Sequence, residues 1–162
     1  MPKKTYTQIN SVTLAAASSS VSFSSIPQNF RDLVIVHNNL GTVNNDANSN
    51  FVFNSDTGSN YSRMYAFYEG SNTTPVSGSG TGTSLQVFGL RTTVGLSTSH
   101  IMDYSATDKH KTVLTRTNTP NHLVWMSSGR WANTSAINSI QLNAFSGNFA
   151  IGSVISLYGI EA

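Results

Sequence analysis

The sequence predicts an all-β protein, an antiparallel β-sandwich of the jelly-roll kind with about ten short strands in a single domain over residues 1–162. Three observations predict this fold. Apolar side chains recur with a period of two rather than 3.6 residues. The segments between these runs are rich in Gly, Asn, Asp, Ser and Pro, the residues of turns. No stretch has the spacing of an amphipathic helix.

The strands follow one another at short intervals along the chain. At most one turn of helix is expected, over Ala132–Ser139 with Asn133 as its cap. In chain order, the predicted strands are Thr5–Ile9, Val21–Ile26, Asp32–Asn38, Asn50–Asn54, Arg63–Glu69, Ser84–Gly89, Ser99–Tyr104, Lys111–Arg116, His122–Ser127, Ile137–Ala144 and Val154–Ile160.

Charge is scarce in this chain. Lys and Arg number 9 and Asp and Glu number 7, which gives a net charge of +2. Proteins that bind nucleic acid cluster their cations, but the close basic groups here are Lys3–Lys4 and Lys109–Lys111, which are interpreted as a solvated arm and a solvated loop. The sequence therefore predicts no nucleic-acid partner.

Membrane insertion and disulfide chemistry are not expected either. No apolar run approaches the ~20 residues that span a bilayer, and the start MPKKTYTQIN lacks the apolar stretch of a secretion signal. The chain has no cysteine, so disulfides, thiolate metal sites and thiol nucleophiles are excluded. A soluble protein that does not interact with membranes is expected.

The acidic residues do not predict a catalytic pair. A glycosidase needs two carboxyl groups placed as acid and base, and the acids here fall at strand ends or in turns. They are Asp32, Asp46, Asp56, Glu69, Asp103, Asp108 and Glu161. We expect a protein that is not an enzyme, although a glycan-acting enzyme remains the third hypothesis.

The histidines do not predict a metal site. The candidates are His37, His100, His110 and His122, and the window HIMDYSATDKH brings His100 and His110 close to Asp103 and Asp108. Strand alternation places His100 and Asp103 on opposite faces, which argues against a shared ion. No metal and no cofactor are predicted.

The remaining catalytic motifs are absent or lack their structural setting. No nucleophile elbow G-x-S-x-G accompanies the many serines. The glycine string Gly78–Gly82 lies in a Ser/Thr-rich segment rather than between a strand and a helix, so it is interpreted as a flexible loop tip and not as a phosphate cradle.

The stretch FNSDTGSNYS, residues Phe53–Ser62, places oxygen-bearing side chains at every second position, as loops that wrap a hard cation often do. Its position between two alternating runs instead favours a hairpin turn, in which Asp56 bonds the turn backbone and Gly58 takes a positive φ. A calcium loop stays open as the alternative, although one carboxylate among neutral amides gives weak affinity.

Four segments carry a resemblance to a known family. They are SVTLAAASSSVSFSSIPQNFRDLVIV, the turn FNSDTGSNYS, DYSATDKHKTVL, and SGRWANTSAINSIQLNAFSGNFAIGSVISLYGI. Together they resemble a family of small virion proteins of tailed bacteriophages, especially phages of cyanobacteria and other aquatic bacteria. The resemblance implies a structural protein of the virion, assembled in the host cytoplasm, and carries over no catalytic residues.

Two functional hypotheses follow. The first is a capsid decoration (cement) protein that bridges capsomers of the major capsid protein as a homo-oligomer, with a trimer favoured and residues 1–10 as an arm reaching a neighbour. The second is a tail-fibre or tail-tip adhesin domain that binds host surface glycan through exposed aromatic rings. The aromatics considered for that role are Tyr61, Tyr65, Tyr68, Trp125 and Trp131, with Trp125 expected in the core.

Uncharged strands support assembly with other chains. Exposed strand edges are usually blunted by charge, but the predicted strands Ser84–Gly89 and Ile137–Ala144 contain no Lys or Glu. A partner chain or a covering loop is expected to shield whichever of them lies at an edge.

Overall fold

The computed structural model describes residues 4–38, 40–43, 47–70, 74–120 and 123–161. Within these ranges the chain forms twelve strands and no helix. The strands are β1 Tyr6–Thr13, β2 Ser20–Phe23, β3 Asp32–His37, β4 Ala47–Phe53, β5 Tyr61–Glu69, β6 Val76–Gly82, β7 Leu85–Leu90, β8 Leu96–Met102, β9 Lys111–Thr119, β10 Leu123–Trp131, β11 Ile140–Ala144 and β12 Val154–Ile160. The predicted all-β class is confirmed.

Two antiparallel sheets make up the fold. The large sheet has the order β1-β12-β3-β8-β9-β10-β5-β6, and the small sheet has the order β2-β11-β4-β7. The small sheet packs on one face of the large sheet, with β7 next to β5, β9 and β10. The predicted antiparallel β-sandwich is therefore confirmed.

The pairing of the strands is nested. When β5, β6, β9 and β10 are set aside, the first strand pairs with the last, β1 with β12, and the next pairs are β2 with β11, β3 with β8 and β4 with β7. The four strands set aside extend the large sheet beyond β8, in the order β9-β10-β5-β6. As a result, half of the large sheet belongs to this extension.

The core lies between the two sheets. Period-two alternation sends every second side chain into it, and its largest fully buried members include Trp131, Tyr61, Phe51 and Phe53. A second, smaller cluster lies on the same face of the extension, where Leu123 and Trp125 pack against Tyr65 and Phe67. No helix in the described residues is long and apolar enough to cross a membrane.

Strand β6 is an element that the sequence did not predict. The segment Gly78–Gly82, interpreted above as a flexible loop tip, pairs in register with β5. Gly78 and Gly80 face the long side chains of Tyr65 and Arg63 on β5, and a Cβ at Gly78 would be 2.6 Å from the Tyr65 hydroxyl. The interpretation as a loop tip was wrong because β6 has few apolar side chains of its own and is covered by side chains of the neighbouring strand β5.

The segment Ala132–Ser139 forms no helix. Asn133 Oδ1 instead accepts a hydrogen bond of 2.8 Å from the backbone N–H of Ser135, the geometry of an Asx-turn. The segment is thus a turn-rich connection between β10 and β11.

Residues 1–10, expected to form an arm, divide into two parts. Tyr6–Asn10 belong to β1, where Tyr6 pairs with Ile160 and Asn10 with Leu157. Residues 1–3 lie outside the described residues.

Candidate functional site

The outer face of the large sheet, which points away from the small sheet, carries exposed apolar side chains. On β9, Val113 and Thr115 are buried against the small sheet, whereas Leu114 between them points outward and is 48% exposed. Alternation does the same on the neighbouring strands, where Met126 is 63% exposed on β10 and Met64 is 64% exposed on β5. Apolar residues therefore occupy both faces of this part of the sheet.

Strand register brings these outward side chains together in rows. Leu114 of β9 pairs with Ser128 of β10, which pairs with Met64 of β5. In the next row, Arg116 of β9 pairs with Met126 of β10. Directly paired residues on one face of an antiparallel sheet have Cβ atoms roughly 5 Å apart, so the rows form one continuous surface.

A groove of about 600 Å³ runs over this surface. Tyr6 of β1 and Met64 of β5 both line it, although five strands separate β1 from β5 in the sheet order. The large sheet must therefore curl with its outer face on the inside of the bend. We call this surface the outer-face groove; its main lining residues are Tyr6, Met64, His100, Leu114, Arg116 and Met126.

One polar cluster lies at this groove. His100 Nε2 is 3.1 Å from Asp32 Oδ2, and Arg31 Nε donates to the same oxygen at 3.1 Å. Asp32 Oδ1 accepts the backbone N–H of Asp103 at 2.9 Å. Burial acts to raise the pKa of the Asp32 carboxyl, but the hydrogen bonds from Asp103, His100 and Arg31 outweigh it and hold the pKa below its usual value of 3.8.

This cluster has the chemistry of a structural contact. The buried Asp32 carboxylate joins the start of β3 to the end of β8 through its contacts with His100 and Asp103. Among the described residues, no serine hydroxyl bonds to His100, so the nucleophile of a catalytic triad is not assembled here. The groove itself is lined largely by apolar side chains, with this cluster at its polar part.

The Phe53–Ser62 turn is held by a dense set of hydrogen bonds. Asp56 Oδ2 accepts the Trp131 indole N–H at 2.8 Å and the Asn60 amide at 2.9 Å, while Oδ1 accepts the Gly58 backbone N–H at 2.9 Å. The Tyr61 hydroxyl donates to the Asp56 carbonyl at 3.0 Å. Both carboxylate oxygens thus have N–H partners, and Asp56 bonds the turn backbone as predicted. The predicted hairpin was wrong, because β4 lies in the small sheet and β5 in the large sheet, so the turn connects the two sheets and its flanking strands do not pair.

The predicted role of Gly58 was wrong in one respect. The positive φ angles in this turn belong to Asn54 and Ser55, at 51° and 58°, and not to Gly58. A Cβ at Gly58 would lie 2.8 Å from Asn60 Nδ2 and 3.1 Å from Asp56 Oδ1. A side chain at Gly58 would therefore crowd the Asp56–Asn60 hydrogen bond and require the Asn60 amide to shift.

Three of the five aromatics considered for sugar binding, Tyr61, Trp125 and Trp131, are buried, and Tyr65 is half-buried. Tyr61 and Trp131 stack at 6.5 Å between ring centroids in the core, and Tyr65 stacks on Trp125 at 4.6 Å. Trp125 is 3% exposed, so its expected core position is confirmed. Tyr68, on the opposite face from Tyr65, is 47% exposed.

The acids and histidines of the window HIMDYSATDKH do not converge. Asp103 Oδ2 lies 3.6 Å from Lys109 Nζ at the surface, and His100 bonds Asp32 instead. No group of three potential metal-ligating side chains occurs in the described ranges. Asp46 and His122 lie outside the described residues.

Two buried basic side chains differ from what the sequence suggested. Lys111, placed above in a solvated loop, is fully buried; its Nζ donates to the carbonyls of Lys109 at 2.9 Å and Thr134 at 3.2 Å. Burial lowers the pKa of its ammonium. His37 is also buried, neither of its ring nitrogens has a hydrogen-bond partner, and desolvation lowers its pKa to about 4.

The outer-face groove was missed by the sequence reasoning, although a signal for it was present. The run Leu123–Met126 is apolar at four consecutive positions, and strands with apolar residues in both phases of the alternation are covered on both faces. Within this run, only Trp125 was expected in the core. The structure buries Leu123 and Trp125 and exposes Val124 and Met126.

Comparisons with known proteins add little to this geometry. No family model matches the chain, and no curated protein matches it. Among solved structures, a mutant of an alginate lyase in complex with an alginate tetrasaccharide aligns over 94% of this chain and 79% of its own, with 9% sequence identity and a TM-score of 0.27. A similarity at that level supports no conclusion about fold or activity.

Proposed function

We propose that the chain is a non-enzymatic structural protein of a bacteriophage virion, a capsid decoration protein that docks on the shell and bridges neighbouring subunits. The observation that carries this proposal is the outer-face groove, with Leu114, Met126 and Met64 between 48% and 64% exposed. Contiguous apolar patches of this kind on a single chain mark interaction surfaces. The resemblance to small virion proteins supplies the kind of particle.

A protein surface fits the groove better than a small molecule does. Exposed Met and Leu side chains offer adaptable apolar contact without directional groups. Arg116, exposed beside Met126, has no ion-pair partner among the described residues and adds the residue type that is enriched in interfaces. We therefore assign the groove to a subunit of the capsid shell.

The edges of both sheets support self-association. The edge strands are β1 and β6 in the large sheet and β2 and β7 in the small sheet. Their sequences YTQINSVT, VSGSGTG, SVSF and LQVFGL contain no Lys, Arg, Asp or Glu. Because charge is the usual protection of an edge, we propose that copies associate through these strands as a closed homo-oligomer, a trimer being the form that suits a local threefold position.

The strand order also supports the jelly-roll form of the sandwich. Nested pairing of first with last strands is what results when a long antiparallel hairpin is rolled into two sheets. Jelly rolls recur in viral capsid proteins. We interpret β5, β6, β9 and β10 as an elaboration that widens one sheet of such a roll and forms much of the groove.

A tail-fibre or tail-tip adhesin domain that binds host surface glycan is the second candidate. The observation that favours it is the exposed ring of Tyr68, paired with exposed Val124 on the outer face. Aromatic rings in such positions stack on sugars. The two candidates differ in copy number, since a decoration protein is present in hundreds of copies per particle and a tail protein in a dozen or two.

The proposal is tested by quantifying the chain in purified particles of its phage and by measuring its binding to undecorated shells. A Leu114→Glu/Met126→Glu variant should bind shells at least about tenfold more weakly, because two charges would be desolvated in the interface. Ile151→Glu is the matched control, since Ile151 is 66% exposed outside the groove. Equal binding by both variants, or a copy number in the range of tail proteins, contradicts the decoration proposal.

A further inference from the structure

A second cavity lies where the edge strand β7 of the small sheet meets β5 and β6 of the large sheet. It has a volume of about 240 Å³. We call it the polar cleft; its lining includes Asn48, Asn50, Arg63, Gln86 and Phe145. It shares no lining residue with the outer-face groove.

Strand alternation explains why amides line the cleft. Phe51 of β4 pairs with Leu85 of β7, and both side chains point into the core. The adjacent pair is Asn50 with Gln86. Because successive side chains alternate, Asn50 and Gln86 point away from the core. Asn48 lies on the same outward side, two positions before Asn50. The small sheet therefore turns a row of amide groups toward the cleft.

Arg63 enters the cleft from the large sheet. It pairs with Gly129 on one side and Gly80 on the other. Its guanidinium lies over Gly80, where a Cβ would be 3.7 Å from both Cζ and Nη2. Because the two flanking positions carry no side chain, the long Arg63 side chain has room to lie across the sheet, and it lines the cleft together with the amides.

Two polar atoms of the cleft residues have no hydrogen-bond partner. Arg63 Nε and Asn48 Oδ1 are both buried and both unpartnered. Arg63 also makes no ion pair with any carboxylate in the described part of the chain. A buried polar group without a partner is destabilising by roughly 1–3 kcal/mol, and such groups are rare enough in native proteins to suggest a ligand.

These two atoms define the chemistry of the missing partner. The Arg63 cation needs an acceptor, best supplied by an anionic oxygen, and the planar guanidinium matches a carboxylate. The Asn48 oxygen needs a donor, which a hydroxyl group supplies. Phe145, 74% exposed at the cleft, offers an aromatic face of the kind that stacks on a sugar ring.

We propose that the polar cleft binds a hydroxylated carboxylate, the chemistry of an acidic sugar unit. The carboxylate pairs with Arg63, the ring hydroxyls bond Asn48 and its neighbouring amides, and Phe145 covers one ring face. The cleft is smaller than the ~300–1,000 Å³ pockets of drug-sized ligands, which suits a single ring. This binding role is separate from the proposed docking on a capsid shell and stands or falls without it.

The test is a titration of the ¹⁵N-labelled protein with glucuronate, followed by amide chemical shifts. Glucuronate should bind with a dissociation constant on the order of 1 mM, with shifts concentrated at the cleft residues. Glucose, acetate and inorganic phosphate are the comparison ligands and should each bind at least about tenfold more weakly. Equal binding of acetate or phosphate would show that the cleft takes any anion and would overturn the hydroxyl half of the proposal.

Variants identify the residues responsible. Arg63→Met should abolish the glucuronate shifts while leaving the melting temperature unchanged or higher, because it removes a buried unpartnered nitrogen. Arg63→Lys should retain only weak binding, since it keeps the charge and loses the fork. Arg130→Met is the control: Arg130 is exposed on the outward side of β10, away from the cleft. Binding by Arg63→Met as tight as by Arg130→Met would refute the proposal.

Discussion

The indole Nε1 of Trp131 donates a 2.8 Å hydrogen bond to Asp56 Oδ2, which joins the end of β10 to the turn that follows β4. Trp131 is buried in the core beside Phe53, with ring centroids 5.6 Å apart. The bond therefore connects the large sheet to the small sheet through a side chain that belongs to the core of both.

Removal of the Asp56 carboxylate should destabilise the protein. Asp56→Ala is expected to lower the free energy of unfolding by about 1–3 kcal/mol, because the N–H groups of Trp131, Asn60 and Gly58 lose a charged acceptor. Urea denaturation at pH 7 measures the change. Ser59→Ala, at an exposed position of the same turn, should stay within about 0.5 kcal/mol, and a loss no larger for Asp56→Ala would contradict the structural role.

The same carboxylate should contribute to acid sensitivity. Hydrogen bonds from Asn60 and then Trp131 hold the pKa of Asp56 below 3.8. For an acid with a lowered folded pKa, the stabilisation is complete above the unfolded pKa and is lost as the pH falls through the folded pKa. Stability that depends on Asp56 should thus disappear below pH 3.8, and the gap between wild type and Asp56→Ala should narrow there.

His37 should make the free energy of unfolding depend on pH at higher pH values than Asp56 does. Its pKa is about 4 in the folded protein against 6.5 when unfolded, so the unfolded chain binds the proton first. Stability is complete above pH 6.5 and should fall on acidification to about pH 4, by on the order of 3 kcal/mol in total. Urea midpoints measured from pH 7.5 to 4.5 follow this loss.

Replacement of His37 by leucine should flatten that pH profile and leave stability at pH 7 equal or higher, since two buried unpartnered nitrogens are removed. His110→Gln, at an exposed loop position, should retain the wild-type profile. A His37→Leu protein whose midpoint still falls between pH 6.5 and 4.5 as in wild type would exclude His37 as the source.

Gly129 should tolerate no side chain. A Cβ there would lie 2.2 Å from Leu85 Cδ1. Leu85 belongs to β7 of the small sheet, so the two sheets are in close contact at this point. Gly129→Ala should be destabilised by about 1–3 kcal/mol through overpacking, and the loss in a Gly129→Ala/Leu85→Ala protein should be smaller than the sum of the single losses.

Gly80→Ala provides the comparison, since its Cβ would meet only ordinary contacts at 3.7 Å or more. Thermal melts of the two single variants should differ clearly. Similar melting temperatures would mean that the two sheets can move apart at β7 without loss of stability.

Two N-terminal truncations should distinguish a role in shell binding for residues 1–4 from a role in sheet stability for the residues of β1. Deletion of residues 1–4 leaves β1 whole, whereas deletion of residues 1–10 removes the pairs from Tyr6–Ile160 to Asn10–Leu157 and should lower the free energy of unfolding by about 1–3 kcal/mol. If residues 1–4 contact the shell, the short deletion weakens shell binding at unchanged melting temperature. Equal stability of both truncations would show that β1 adds nothing to the sheet.

Most of the strands could be predicted from the sequence because a strand that is buried on one face has apolar residues at every second position. Strand β3 and strand β12 were located within one residue of their ends. Strand β6 was missed because VSGSGTG has almost no apolar side chain of its own; Tyr65 and Arg63 of β5 cover it. Local sequence cannot show that a neighbour supplies this cover.

The candidate surfaces were less predictable than the strands. Alternation shows which residues share a face but not whether another sheet covers that face, so Leu123 and Val124 could not be told apart. The burial of Lys111 was equally hidden, since it depends on the carbonyl of Thr134, 23 positions along the chain. Such contacts arise only when distant segments meet.

The nested pairing of the strands has a kinetic consequence. Thr7 and Glu161 are joined by a 2.8 Å hydrogen bond although 154 positions separate them, and β1 can pair with β12 only after β12 has been synthesised. To form such a long-range contact, the chain must close a large loop. The conformational entropy lost in closing the loop precedes the stabilising contacts, which makes folding slow. During synthesis the early strands, with their uncharged edges, must wait for their partners, so refolding at high protein concentration should lose yield to aggregation before the last strand closes the sheet.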